Sequence, residues 1–180
     1  MCGSSSRRRE ARVTAETLET VLAAALETVR HYLGRTRALV EIATEADLAL
    51  RPAPDMRPVG DQLAIAIGFA GRAVLPFTDR TGPDWPAEIT REGLLAYADA
   101  MAAALDGLGA GDLVLREIAH RAGFADVTQG GADYLLRFAL PNMIFHVTAA
   151  HTGLKAAGHD LGKADFDAIH AYPAGFSFDA

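Results

Sequence analysis

Asn142 and His146 are the side chains of this sequence best placed to do chemistry. They lie four residues apart in a segment of helical periodicity, so both project from one face of the predicted helix. Histidine has an ordinary pKa of about 6.5, which suits it to general acid or base catalysis, and an amide can orient the ring or polarise a carbonyl. The same face carries small or apolar residues: Leu135, Ala139, Ala149, Ala150 and Gly153. Such a face, turned inward, forms the usual apolar small-molecule pocket.

A purely structural role is the alternative for each candidate catalytic residue. His146 can be a core histidine, bonded to Asn142 or to a carbonyl freed by a helix kink. Asp55 is a second candidate acid or base, because its carboxylate lies beside Arg57 at a predicted helix start. The same position also suits a helix N-cap, which needs no ligand.

Four further side chains are candidates for ligand contacts: Phe69, Gln62, Tyr134 and His151. We expect Phe69 to line the pocket from the second long helix. Gln62 and Tyr134 would donate or accept hydrogen bonds there, although both also suit rim or packing positions. His151 is either a second pocket histidine or a residue of the core or of a subunit interface.

Composition and motifs argue against several classes of function. A net charge of -6 without a long Lys/Arg run argues against a nucleic-acid partner. No apolar stretch approaches the roughly 20 residues that cross a bilayer, so we expect no membrane partner and a cytoplasmic location. Cys2 is the only cysteine, which excludes an internal disulfide. The sequence has neither a phosphate-binding loop nor a serine-nucleophile motif.

The length of 180 residues, half of them apolar, suits one domain with a substantial core. Apolar residues recur at three- and four-residue steps and predict four long helices, over about residues 15–42, 59–75, 91–106 and 133–158. We predict a disordered tail over 1–12, a bundle over 13–166 and an extension over 167–180. That extension would pack on the bundle or on a partner subunit.

Individual residues between these segments predict where the helices begin, end or bend. Thr44 and Thr90 are predicted N-caps, the former for a short turn over residues 44–50. Gly34 marks a bend or a close helix crossing, and Pro141 predicts a kink in the fourth helix. The Ala122-Gly123 step permits a small hairpin between strands at about 113–118 and 124–128.

Three motifs resemble those of a known family: APDM at 53–56 with the following Pro58 and Gln62, LPN with FHVT over 140–148, and LGKADF at 161–166. On these motifs the chain, over about residues 15 to 166, resembles an uncharacterised domain-of-unknown-function family of the DinB/YfiT-like superfamily. The resemblance implies a mostly α fold, a DinB-like four-helix bundle, often dimeric, with a pocket between the helices.

The resemblance also implies a metal site in many relatives, held by one histidine on helix two and two histidines four residues apart on helix four. This sequence keeps only His146 of that set. Phe69 stands at the helix-two position, and Ala150 stands where the second member of the pair would be. His151 projects about 140° around the helix from His146. We therefore expect no metal site and no cofactor.

Three functions remain open on the sequence. The first is a small-molecule-binding bundle with a metal-free pocket between helices two and four, in which His146 assists isomerisation, epimerisation, cyclisation or elimination. The second is a non-catalytic structural or regulatory homodimer. The third, by resemblance to other DinB-like proteins, is a metal- or thiol-dependent transferase.

Overall fold

The computed structural model describes residues 3–173 and residue 176. Its longest helix, α1, spans Gly3–Ile42, and the short α2 spans Glu45–Leu48. α3 spans Val59–Val74 and α4 spans Arg91–Leu105. A hairpin of β1 (Ile118–Ala122) and β2 (Ala125–Gln129) follows. The last long rod comprises α5 (Gly131–Asp133), a π-helical turn (Tyr134–Ala139) and α6 (Leu140–Ala156), and the short α7 spans Lys163–Asp167.

Four long helices form the bundle, in agreement with the predicted mostly α architecture. α3 lies at its centre, since it packs against α1, α4 and α6. Most of its residues are buried, whereas each outer helix keeps a polar face toward solvent. The core is therefore organised around α3, and a polar side chain on its buried faces must contact the neighbouring helices.

The predicted caps are confirmed at two of three positions. Thr44 and Asp47 form a capping box at α2, and the Thr90 hydroxyl accepts from the Gly93 N–H at the start of α4. Asp55 does not cap α3. That helix begins after Pro58, whose fixed φ already prepares the first turn, and no side chain bonds its free N–H groups.

The start of the chain differs from the prediction of a disordered tail over 1–12. α1 already begins at Gly3, because no proline or further glycine interrupts the Ser- and Arg-rich residues before Ala15. Met1 and Cys2 lie outside the described residues. At the other end, the α7 carbonyls of Asp165 and Asp167 bond the α1 side chains of Arg35 and His31, so α7 packs on α1. The packing of the 167–180 extension stays a prediction. Residues 174–175 and 177–180 lie outside the described residues.

The hairpin is confirmed, but its first strand lies later than predicted. Residues 113–115 pack against the bundle instead, with the Val114 N–H bonded to the Phe77 carbonyl at 2.8 Å. Gly123 opens the two-residue turn with a φ of 62°, a conformation that suits glycine. The hairpin therefore starts at Ile118 and leads directly into the last rod.

Pro141 is accommodated by a change of helical hydrogen bonding in the turn before it. The Leu140 N–H bonds to the Leu135 carbonyl, five residues back rather than four. Such π-turns absorb an irregularity without ending the helix. The rod therefore runs without a break from Gly131 to Ala156, and the π-turn shifts the register of the residues that precede α6.

Among the described residues, no helix is both long and apolar enough to pass through a bilayer. The few polar side chains buried in the bundle are Thr36, Asp47, Gln62 and Asp167. Of these, only Gln62 lies on α3, facing α6. The burial of Gln62 marks the contact between α3 and α6 as a place where polar groups meet inside the fold.

Candidate functional site

Gln62 and His146 form a hydrogen-bonded pair across the α3–α6 contact. The Gln62 side chain is 2% exposed, and its Oε1 lies 2.6 Å from His146 Nδ1. Its Nε2 donates to the Arg57 carbonyl at 3.2 Å, from the turn that enters α3. The buried amide thus connects the loop before α3 with the imidazole on α6.

This pairing fixes the protonation pattern of His146. A backbone carbonyl only accepts, so the NH₂ of Gln62 must face Arg57 and its oxygen must face the imidazole. Nδ1 of His146 therefore carries the proton, and Nε2 keeps its lone pair. No other described residue bonds Nε2, and this nitrogen is not among the buried unpartnered atoms, so it reaches solvent. The site presents one oriented hydrogen-bond acceptor.

Aromatic rings form the wall beside His146. Phe69 stacks on the imidazole with ring centroids 5.8 Å apart and an interplanar angle of 17°. Phe138 meets Phe69 edge to face, and the Arg72 guanidinium lies 4.5 Å above the Phe69 ring. Ring stacking on one side and the amide on another restrict the imidazole to one orientation.

The pKa of His146 is lowered from its ordinary value of 6.5 to about 4. Burial of the ring is the larger cause, and the positive charge of Arg57 is the smaller one. His146 is therefore neutral at pH 7. It can accept a proton or a hydrogen bond through Nε2, but before such a transfer it carries no proton at Nε2 to donate.

The lowered pKa predicts an acid-dependent loss of stability. In the unfolded chain His146 takes up its proton near pH 6.5, whereas in the folded protein it does so only near pH 4. The unfolded state thus binds more protons in this window, and the contribution of His146 to stability falls as the pH is lowered through it. Urea denaturation between pH 7 and pH 4.5 should show a smaller loss for His146→Gln than for the wild type. Parallel profiles would contradict the assigned pKa.

The structure brings together three of the predicted site residues, Gln62, Phe69 and His146. Asn142 shares the helix face but does not bond His146. Its Nδ2 donates instead to the Phe138 carbonyl of its own helix at 2.7 Å. A short amide finds such a local backbone acceptor more readily than a side chain one turn away.

The other predicted site residues lie elsewhere. Tyr134 is buried in the aromatic cluster, and its hydroxyl donates to the Arg72 carbonyl at 3.1 Å. The His151 ring bonds the Gly162 carbonyl near α7 at 2.9 Å. Asp55 is exposed in the loop before α3. None of these three contacts His146.

Three residues of this region were not predicted as site residues. Arg57 acts on His146 through its charge, and Arg72 covers the rings of Phe69 and Phe138. His120 of β1 also joins the cluster, 4.2 Å from the Phe138 ring centroid. Its Nδ1 is the one buried side-chain nitrogen or oxygen without a partner in the described part of the chain. No sequence signal places a strand residue against the last rod.

The donor set around His146 does not fit the three-histidine metal site of DinB-like relatives. Gln62 and Phe69 face it from α3, and Ala150 lies one turn further along α6. Within residues 3–173 and 176, no three His, Cys, Asp or Glu side chains cluster as metal ligands would.

Gln62 and Phe69 occupy the space beside His146 between α3 and α6. A cavity of about 670 Å³ lies between α3, α4 and the segment that joins them. Phe69 lines this cavity from α3. The ligand pocket between helices two and four stays a prediction.

Comparison with known proteins places the chain in a family. A model of a domain of unknown function, DUF1993, matches residues 16–167. The fold is similar to a crystal structure of a DinB family member protein from Shewanella denitrificans, with a TM-score of 0.61 and 22% identity over 86% of this chain and 92% of that one. No curated protein matches the sequence. The chain belongs to the DUF1993 family and has the DinB-like helical fold.

Proposed function

We propose that the protein is a cytoplasmic, metal-free bundle that binds a small organic molecule at the solvent edge of the α3–α6 contact, where Nε2 of His146 accepts a hydrogen bond from it. The observation that carries this proposal is the fixed tautomer of His146. A buried glutamine and a stacked ring orient the imidazole, yet its second nitrogen is left open to solvent. A histidine that served packing alone would gain more from burying and pairing both nitrogens.

Proton transfer is the chemistry that such an acceptor supports. Neutral His146 would take a proton from the bound molecule at Nε2, while Gln62 accepts the hydrogen bond from Nδ1. The pKa of about 4 makes the imidazolium short-lived, so the proton is passed on quickly. In isomerisation and cyclisation it would go to a different atom of the molecule, in epimerisation to the opposite face of the same carbon, and in elimination to the leaving group.

Native mass spectrometry of untagged protein from its own host tests the proposal. We expect a released organic molecule from the wild type, the same molecule from His146→Gln at reduced occupancy, and none from His146→Ala. Circular dichroism should show that both variants remain folded. Equal occupancy in wild type and His146→Ala would contradict the role of Nε2, and a stoichiometric metal would contradict the metal-free site.

A non-catalytic homodimer is the second candidate. The observation that favours it is apolar surface on the last rod, where Phe145 is 56% and Leu136 is 45% exposed. Phe145 also lies against His146, with ring centroids 5.1 Å apart. A dimer mass without a released molecule in the same spectrum would support this second function over the first.

A further inference from the structure

A groove separate from the His146 site runs between α3, α4 and the segment from Leu75 to Trp85. Its volume of about 670 Å³ lies within the range of about 300–1,000 Å³ that is usual for small-molecule sites. Its lining is mainly apolar, from Ile65, Phe69, Leu75, Trp85 and Met101. Tyr97 and Trp85 pack ring against ring at one end, with centroids 6.1 Å apart.

Two arginines line this groove. Arg80 is held in place by bonds from Nη1 to the carbonyls of Ala104, at 3.2 Å, and Asp106 at the end of α4. The Arg72 guanidinium lies over the rings of Phe69 and Phe138, and its Nη2 donates to the Arg121 carbonyl at 3.5 Å. No carboxylate of the described residues pairs with either arginine. In a chain of net charge -6, this leaves a local positive site with an apolar wall.

The Tyr97 hydroxyl adds a hydrogen-bond donor to the groove. The residue is 7% exposed, and its hydroxyl has no hydrogen-bond partner among the described residues but keeps access to solvent. It lies 3.2 Å from where a Cβ of Gly68 would stand, and both residues line the groove. The hydroxyl is therefore available to donate a hydrogen bond to a molecule bound there.

We propose that this groove binds a small organic carboxylate, with its apolar body against Trp85 and Met101 and its carboxylate within reach of Arg72, Arg80 and the Tyr97 hydroxyl. Arginine suits carboxylates because its planar donors match the two oxygens. A neutral molecule of the same shape would gain no charge-assisted bonds from the two arginines, and a cation would be repelled. The proposal does not rest on the function proposed for His146, although the groove shares Phe69 and Arg72 with the wall beside that residue.

The fluorescence of Trp85 can report binding in the groove, because Trp85 is the only tryptophan of the chain. The protein is titrated with 4-phenylbutyrate and, separately, with the uncharged 4-phenylbutanamide. Tryptophan fluorescence is excited at a wavelength that phenyl rings do not absorb. We expect a saturable change with the carboxylate and at least about tenfold weaker binding of the amide. Equal affinities, or no saturable change with either compound, would overturn the proposal.

Three variants locate the preference in the groove. Arg72→Met and Arg80→Met keep an apolar stem, and we expect each to reduce the preference for the carboxylate over the amide by about tenfold. Arg137→Gln removes the same charge from an exposed position outside the groove and should leave the preference unchanged. Because the measured quantity is the ratio of the affinities for the two ligands, a general loss of stability would not produce the same change. If Arg137→Gln reduced the preference for the carboxylate as much as the groove variants, the assignment to the groove would be overturned.

Discussion

Phe69→Ala is expected to lower the free energy of unfolding by about 3–5 kcal/mol, the cost of removing a large ring from a packed core. Phe69 is 6% exposed and lies between the His146 imidazole, the Phe138 ring and the Arg72 guanidinium. No neighbouring side chain can collapse into the space, because these three groups are held by their own hydrogen bonds and stacking. Guanidinium chloride denaturation, followed by circular dichroism, measures the change directly.

Phe124→Ala is the matched control for this prediction. The same atoms are removed, but Phe124 is 97% exposed in the hairpin turn, so we expect a change within about 0.5 kcal/mol. A small cost for Phe69→Ala, close to that of the control, would mean that the ring does not act as a fixed wall. The orientation of His146 would then depend on Gln62 alone.

The helices and most of their ends could be predicted from the sequence, because residues close in the chain determine them. Apolar periodicity identified the four long helices, and Thr44 and Thr90 marked two starts through hydroxyl groups that bond the first turn. Asp55 failed as a cap because Pro58 sets the start of α3 by its own geometry. The early strand failed because burial of Leu113 outweighed its strand pattern.

The partner of His146 could not be predicted, because it lies 84 residues away on another helix. Periodicity identifies which residues share a face, but the relative shift of two packed helices depends on the whole core. The sequence-based hypothesis paired His146 with Asn142, four residues away. In the structure Asn142 bonds its own backbone, and Gln62, predicted as a pocket, rim or packing residue, provides the contact that fixes the tautomer.

Gly153→Ala is expected to destabilise the protein by about 1–3 kcal/mol, although alanine is the better helix former. A Cβ at this position would lie 2.5 Å from Val59 Cγ2 and 3.2 Å from the Pro52 ring. Val59 is fully buried and β-branched, so its methyl group cannot turn away. α6 and the first turn of α3 would have to move apart, close to the contact between Gln62 and His146.

Gly34→Ala, in the same bundle, is expected to stabilise the protein and not to destabilise it. Its Cβ would meet nothing within 4 Å, so the close crossing predicted for Gly34 is wrong, and only the gain in helix propensity remains. We expect stabilisation by about 0.5–1 kcal/mol, measured by the same denaturation. If Gly153→Ala also stabilised the protein, the two helices would not meet at Gly153, and the geometry of the His146 site that depends on their approach would be incorrect. If Gly→Ala lowers the free energy of unfolding at Gly153 and raises it at Gly34, then Gly153 is required for the contact between helices and Gly34 is not.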